Sequence, residues 1–360
     1  MLYEMNAVEN TVALQRQLEN RTYHTKPTYT FKVYEPKERI VESNAFSDKV
    51  VQHSLCDNAL TEYFSRSFIR DNYASQIGKG TDDALDRLAH FMRHYYFSRK
   101  AAAENARRAA GLPPDPAKRI EYGKGYVLKG DFAHYFYTIQ HEPLKRIAHE
   151  KIAQRAPDNE MREFCCWLVD TFVDATPNPG IPIGFQTSQP LAILYLDGMD
   201  HYVRDTLGAT MYGRYMDDFY IIHESKEQLK EWLADIQLFI KPLGLSLNNK
   251  TQIFPLAQGL DFLGFHTYLT DTGKVVRKIR DDKKSGIRRK LKKYRRRVDD
   301  GRMTLKKVED SYEGWRNHAE RGNTHRLIRN TDALFTALFP EIKRKRVENG
   351  KKNKHACQQK

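Results

Sequence analysis

The sequence predicts an α+β fold, and three observations support this prediction. Short apolar runs bounded by acidic residues predict β-strands at residues 125–131 and on both sides of the pair Asp217-Asp218. Between these runs, apolar residues recur at helical spacing and predict amphipathic helices. Thr81 and Ser225 are the predicted N-caps of two helices outside these runs. Beyond residue 273 the pattern is helical throughout. With 360 residues, the chain can bury a sizeable core and hold two or three subdomains.

The adjacent acids Asp217 and Asp218 are the most informative feature of the chain. They follow Tyr215-Met216 and lie between two apolar runs, an order that predicts a strand, a turn and a second strand. Two carboxylates at the tip of a buried hairpin repel each other unless a cation lies between them, and a divalent metal with oxygen ligands is the usual partner. The alternative is an ordinary turn that uses Asp.

Two further segments accompany this pair in a fixed order. A short strand pattern ends at Asp131, and a turn-rich loop, residues 180–190, runs into an apolar helix for which Ser188 is the predicted N-cap and Pro190 lies in the first turn. A strand with Asp, a glycine loop with a helix and a YxDD hairpin are the ordered motifs of a reverse transcriptase palm. Over roughly residues 30–345 the chain therefore resembles that family, and the resemblance extends to finger motifs before the palm and to two motifs after the hairpin, at residues 36–40, 46–53, 71–81, 245–251 and 260–265.

The resemblance implies a right-hand polymerase. Fingers and palm, an antiparallel sheet with helices, are expected over residues 30–273, after an N-terminal extension, residues 1–29. A basic helical thumb is expected over residues 274–340, and the basic tail, residues 341–360, is expected to be disordered. Apolar stripes support the thumb helices, although simple core packing would produce the same stripes.

The resemblance also implies a catalytic metal centre. Asp131 and Asp217 would bridge two Mg²⁺ ions, with Mn²⁺ as a substitute, while Asp218 would be a supporting acid and the carbonyl of Phe132 a further ligand. Two metals about 3.5 to 4 Å apart clamp the attacking and leaving oxygens of an in-line displacement. Lys250 matches the lysine that assists the leaving pyrophosphate, and a surface lysine is the alternative.

Two residues bear on nucleotide binding. Lys79, in Gly78-Lys79-Gly80-Thr81, is the candidate contact to the triphosphate, and this segment lacks the spacing of a P-loop. Phe136 lies five residues after Asp131, where reverse transcriptases carry a bulky aromatic that collides with a ribose 2′-hydroxyl. It predicts deoxynucleotides as substrates, although a buried aromatic at a strand end would look the same.

The loop also predicts a subgroup. Most relatives carry Gln before the glycine and Ser-Pro at the loop's end, whereas this chain has Ile183-Gly184 and Ser188-Gln189. This form resembles reverse transcriptases of diversity-generating retroelements, which copy a template RNA with errors at adenines. An alkyl group at position 183, in place of an amide, removes polar contacts that check the incoming nucleotide. The alternative is that Ile183 packs under the loop.

Positive charge is concentrated at the carboxy end. The net charge is +14, and residues 274–297 hold fourteen Lys and Arg against two Asp. We expect this region to grip the phosphates of an RNA–DNA duplex through basic residues on the faces of the first thumb helix. They are Arg288, Arg289, Lys292, Lys293 and Arg296. A solvated charge run is the alternative.

Cysteine spacing and hydropathy suggest a cytoplasmic location. The four cysteines have no CxxC spacing, so neither a zinc site nor a disulfide framework is indicated. No run approaches the length of a membrane span, and the start of the chain lacks a signal-peptide pattern. The sequence thus predicts a soluble cytoplasmic protein without membrane partners, and the resemblance implies that a bacterium or phage encodes it.

Three functions remain open at this point. The first is an RNA-directed DNA polymerase of a diversity-generating retroelement, with template RNA, primer, dNTPs and a small basic accessory protein as partners. The second is the same chemistry in an antiphage defence system with a noncoding RNA. The third is a catalytically inactive RNA-binding scaffold, which the intact acids Asp131, Asp217 and Asp218 argue against.

Overall fold

The fold is α+β, as predicted, with antiparallel sheets and helices. The computed structural model describes residues 5–34, 38–113 and 119–342. Within these ranges, it describes only the backbone of residues 119–120 and 281–284. The predicted tail lies outside the described residues from position 343 onward. Within the described part, no helix is both long enough and apolar enough to cross a membrane.

Among the described residues, helices and strands are interspersed along the chain. The α-helices are Ala7–Glu19, Phe46–Leu55, Thr61–Ser65, Thr81–Ala109, Arg119–Tyr122, Tyr135–Thr138, His141–Arg155, Asn159–Asp174, Ser188–Tyr195, Asp197–His201, Lys226–Ile240, Asp281–Asp299, Leu305–Glu320 and His325–Leu338. The strands are β1 (Tyr29–Val33), β2 (Arg39–Ser43), β3 (Tyr126–Asp131), β4 (Tyr212–Tyr215), β5 (Asp218–His223), β6 (Gln252–Pro255), β7 (Leu260–Phe262), β8 (Phe265–Leu269) and β9 (Val275–Ile279).

The strands form three sheets among the described residues. Strands β1 and β2 form an antiparallel ribbon, and the second sheet has the order β4-β5-β3-β6. The third sheet has the order β7-β8-β9. In the four-stranded sheet, β5 and β3 are the central strands. They carry near-continuous apolar runs, and Phe219, Tyr220 and Ile221 of β5 are fully buried.

The chain divides into two compact units. The first contains residues up to Leu260 together with Tyr268–Val275, and the second contains Asp261–Thr267 together with residues from Val276 onward. A large apolar core in the first unit includes residues from the predicted extension, such as Leu14 and Tyr23. In the second unit, three helices enclose their own core of Ile287, Leu291, Tyr294, Val308, Tyr312, Phe335 and Phe339.

Helix starts follow local sequence signals, with two corrections. Ser225 caps the helix Lys226–Ile240 by accepting a bond from the Gln228 N–H, as predicted. The N-cap residues of the helices Thr81–Ala109 and Ser188–Tyr195 are Gly80 and Thr187. The predicted caps Thr81 and Ser188 are instead the first helical residues.

Gly184 sits where the loop 180–189 approaches strand β2 most closely. Its φ is +125°, and a Cβ at this position would lie 2.2 Å from the carbonyl oxygen of Glu42 and 2.9 Å from Val41 Cγ1. The Glu42 N–H donates to the Ile183 carbonyl over 2.8 Å, so this approach is part of the loop's hydrogen bonding. Only glycine satisfies both the backbone angle and the contact distance.

We predict that Gly184→Ala lowers the free energy of unfolding by roughly 2 to 4 kcal/mol, because backbone strain and a steric clash add together. Gly208→Ala is the matched control, since Gly208 also has a positive φ, +73°, but faces open space. The control should incur only the backbone strain, which lowers its free energy of unfolding by about 1 kcal/mol. Denaturant unfolding measures both changes, and equal losses in the two variants would contradict the close approach.

Candidate active site

Antiparallel pairing of β3 with β5 brings the predicted acids together. The register sets Asp131, the last residue of β3, directly opposite Asp218, the first residue of β5. Asp217 occupies the turn between β4 and β5, and its carbonyl accepts a bond of 3.3 Å from the Phe132 N–H. Asp131 and two adjacent acids much later in the sequence therefore share one corner of the sheet.

Burial and mutual repulsion raise the pKa values of the two hairpin acids. For Asp217, burial raises the pKa and the charge of Asp131 raises it further, while Arg39 and Lys129 oppose the shift. Burial is also the main cause for Asp218 and, against the lowering effect of Lys129, raises its pKa to about 6. Both carboxyl groups are therefore harder to ionise than a free aspartate, and a bound cation would favour their ionised forms.

Lys129 is the cation that the sequence analysis did not identify. It precedes Asp131 by two residues on β3, so both side chains project from the same face of the sheet. Its Nζ forms an ion pair with Asp218 Oδ1, in which both side chains remain partly exposed. The sequence signal was a lysine at the i−2 position before a strand-end acid, and a lone lysine in a strand is too common to single out.

Residues 248–251, which follow the helix Lys226–Ile240, hold Asp131 in place. The Asn248 N–H donates to the Asp131 carbonyl over 2.7 Å, and the Asn248 side-chain amide reaches Asp131 Oδ2 at 3.4 Å. Thr251 Oγ1 accepts from the Asp131 N–H at 3.4 Å. Lys250, the predicted partner of pyrophosphate, lies between these two residues with an exposed side chain.

The acids suit a hard divalent cation, although the described residues contain no preformed metal cluster. Across residues 5–34, 38–113 and 119–342, no three or more His, Cys, Asp or Glu side chains are arranged to hold a metal ion. The ion pair with Lys129 engages one oxygen of Asp218, Oδ1. One or two carboxylates, completed by substrate phosphates and water, are a common donor set for Mg²⁺. The residues present fit such an ion.

The loop that carries Ile183 and Gly184 is anchored at three points. At its start, the Ile181 N–H donates to the Phe136 carbonyl over 2.8 Å. Its middle is bonded to Glu42, as described above. At its end, Gln52 Oε1 accepts from the Gln186 N–H over 2.8 Å, and Gln52 is buried. The loop is therefore held rigidly at its start, middle and end.

Two of the predicted nucleotide contacts already have protein partners. Gln189 is exposed at the start of its helix, and its Oε1 accepts a bond of 2.7 Å from Ser75 Oγ. The Lys79 ammonium donates to the carbonyls of Ile69 and Asn72 at 3.2 and 2.9 Å, and burial lowers its pKa. To contact a triphosphate, Lys79 would have to leave these carbonyls.

Phe136 and Ile183 are less constrained. Phe136 is half-buried in the short helix Tyr135–Thr138, where its ring contacts Tyr135 edge-on. Ile183 is also half-buried, so part of this residue remains accessible to solvent. Both retain surface for a ligand.

The predicted basic residues lie on one helix of the second unit. On the helix Asp281–Asp299, hereafter the basic helix, Ile287, Leu291 and Tyr294 are buried in the unit's core. The side chains of Arg288, Arg289, Lys292, Lys293 and Arg296 are all exposed. This helix therefore separates an apolar face from a broad basic face, as the sequence predicted.

The chain has measurable similarity to known proteins. The family model described as reverse transcriptase (RNA-dependent DNA polymerase) matches residues 83–267, just over half of the chain. No curated protein sequence matches it.

Telomerases are among the similar solved structures. A Candida albicans telomerase in complex with a TWJ fragment of telomeric RNA has 11% identity and a TM-score of 0.48, covering 76% of this chain and 51% of that one. An apo telomerase from Candida tropicalis, truncated from the C-terminal domain, has 15% identity and a TM-score of 0.48, covering 75% and 60%. The chain thus matches about half to three fifths of the length of these telomerases. On the strength of the family model, which covers Asp131, Asp217 and Asp218, this chain belongs to the reverse transcriptase family.

Proposed function

We propose that this protein is an RNA-directed DNA polymerase that extends a primer along an RNA template by two-metal nucleotidyl transfer. The observation that carries the proposal is the β3–β5 register, which pairs Asp131 with Asp218 and brings Asp217 beside them. Fingers and palm would correspond to residues 30–273 and the thumb to residues 274–340.

Asp131 and Asp217 are the proposed ligands of two Mg²⁺ ions, or of Mn²⁺ in their place, with the Phe132 carbonyl available as a further oxygen. Bound there, the ions would lower the pKa of the primer 3′-hydroxyl and neutralise the leaving pyrophosphate. Asp218 supports the site from its ion pair with Lys129, which keeps this third carboxylate ionised beside the other two.

Positive side chains near the acids are suited to the triphosphate. Arg39 lowers the pKa of Asp217, so its charge acts on the site. Lys250 is exposed and lies two residues after Asn248, which contacts Asp131. It is the proposed donor to pyrophosphate. Lys79 and Gln189 remain candidate contacts, each through exchange of its present protein partner.

The rigid loop and Phe136 are the proposed selectivity elements. The Phe136 carbonyl accepts a hydrogen bond from the Ile181 N–H, two residues before Ile183 in the loop. The backbones that carry the aromatic ring and the alkyl side chain are therefore joined by this bond. Phe136 would exclude a ribose 2′-hydroxyl. Ile183 would offer no hydrogen bond to check the incoming nucleotide, and this is the property expected of an error-prone copier of adenines.

The proposed setting is a diversity-generating retroelement of a bacterium or phage, acting in the cytoplasm with a small basic accessory protein. The Ile183-Gly184 and Ser188-Gln189 form of the loop favours it. A reverse transcriptase of an antiphage defence system, working with a noncoding RNA, is the second candidate. A template repeat and a variable gene beside the coding sequence would favour diversification, whereas a structured RNA in an isolated operon would favour defence.

We predict that Asp217→Asn lowers primer extension on an RNA template by about 10³-fold or more, because it removes a metal ligand that acts in the transition state. Asp57→Asn, at an exposed aspartate remote in sequence from the site motifs, is the matched control and should retain activity. Parallel reactions with dNTPs and with NTPs test the Phe136 proposal. Absence of metal-dependent product from the unmodified protein would leave an RNA-binding scaffold as the better account, whereas equal activity of Asp217→Asn would contradict the proposal that Asp217 is a metal ligand.

We predict that Ile183→Gln reduces misincorporation opposite template adenines by roughly ten-fold or more, because an amide restores polar contacts to the incoming nucleotide. Ile183→Val keeps an alkyl group and should leave the error spectrum unchanged. Sequencing the cDNA made by each variant measures both. Faithful copying of adenines by the unmodified protein would contradict the retroelement setting without affecting the polymerase proposal.

We predict that the double variant Arg288→Gln, Lys292→Gln weakens binding to an RNA–DNA duplex and reduces the salt dependence of log K by about 2, because two phosphate contacts are lost. Both residues are exposed on the basic helix. The control Arg326→Gln, Arg329→Gln removes the same charge from exposed positions of the helix His325–Leu338. Equal effects of the two double variants would indicate general electrostatics rather than a specific grip.

A further inference from the structure

Arg214 is a fully buried cation three residues before Asp217. Its side chain and that of Asp200 are both 0% exposed. Arg214 Nε and Nη2 donate to the two carboxylate oxygens of Asp200 over 2.7 and 2.6 Å, a bidentate pair. Nη2 also reaches the Ile193 carbonyl at 3.1 Å.

The remaining nitrogen of the guanidinium, Nη1, faces the hairpin turn. Arg214 Nη1 donates to the carbonyl oxygen of Met216 over 2.8 Å. Met216 has a φ of +55°, a left-handed conformation that is uncommon outside glycine and requires support from its surroundings. The bond fixes the orientation of the peptide group that joins Met216 to Asp217.

The turn is therefore held on both sides of Asp217. Arg214 binds the carbonyl that precedes it, and the Phe132 N–H, next to Asp131, binds the carbonyl of Asp217 itself. With its backbone fixed at two points, the Asp217 carboxylate has few alternatives to the direction of Asp131. This is the pre-organisation that metal ligands require.

The guanidinium is in turn immobilised by its neighbours. Asp200 accepts further bonds from Tyr212 Oη at 2.5 Å and Asn72 Nδ2 at 3.0 Å. The backbone of Arg214 is bonded to the finger segment, through its N–H to the Asp71 carbonyl at 2.9 Å and through its carbonyl to the Tyr73 N–H at 3.1 Å. These bonds hold Arg214 in one position, and its bond to the Met216 carbonyl therefore holds the turn as well.

We propose that Arg214 is a positioning residue that sets the direction of the Asp217 carboxylate through its hydrogen bond to the Met216 carbonyl. This inference rests on the proposed function, since it assigns Asp217 to a divalent cation. A buried ion pair alone gives little net stability, because desolvation offsets most of the attraction. A lysine would preserve the charge opposite Asp200 but lacks the fork that serves the carboxylate and the carbonyl together.

The test measures binding of Mn²⁺ alone, by the electron paramagnetic resonance of the free ion, together with the thermal unfolding of the metal-free protein. The site is defined as the Mn²⁺ binding that Asp217→Asn abolishes. For Arg214→Lys we expect a folded protein whose affinity at this site is about 10- to 100-fold weaker, as found when groups that orient metal ligands are removed. The Mg²⁺ concentration for half-maximal primer extension should rise in parallel.

Tyr212→Phe is the matched control. It removes a bond to the same Asp200 carboxylate but none to the turn, so it should leave the Mn²⁺ affinity unchanged even if it lowers the unfolding temperature. The proposal is overturned if Arg214→Lys binds Mn²⁺ as the unmodified protein does, if Tyr212→Phe weakens the site equally, or if Arg214→Lys does not fold. Absence of an Asp217-dependent site in the unmodified protein would overturn both this proposal and the metal centre, whereas intact Mn²⁺ binding without primer extension would count against the proposed function only.

Discussion

The cross-strand pairing of Asp131 with Asp218 is the constraint on which the rest of the site depends. Antiparallel neighbours bring like charges directly opposite each other, which destabilises a sheet unless other charges compensate. Asp217, in the adjoining turn, adds a third negative charge. The surrounding residues respond to this concentration of charge.

Compensation comes from three directions. Lys129 neutralises Asp218 from the same strand, and Arg39 acts on Asp217. Asn248 and Thr251 fix Asp131 through its backbone and its carboxylate. Burial and the charge of Asp131 nevertheless raise the pKa of Asp217. A divalent cation at Asp131 and Asp217 would stabilise the ionised forms of both carboxylates, and a metal site would explain an otherwise unfavourable arrangement.

Much of this arrangement was predictable because it is encoded locally. The hairpin, the strand that ends at Asp131 and the amphipathic stripe of the basic helix each depend on the spacing of neighbouring residues. Helix caps at Thr187 and Gly80 were missed by one residue, since hydrogen-bond geometry decides them. The partners of Lys129, Asn248 and Arg214 were not predictable from spacing. Each depends on which segments the fold brings together, and the Asp200 partner of Arg214 lies on a helix with no catalytic motif.

The central claim is that Asp131 and Asp217 together bind a divalent cation, and the most direct test is crystallographic. Crystals of the protein soaked in Mn²⁺ would be measured at a wavelength where manganese scatters anomalously. This claim predicts an anomalous peak within coordination distance of both carboxylates. A peak absent from this corner, or a pair of carboxylates turned away from each other in the metal-soaked crystal, would contradict it.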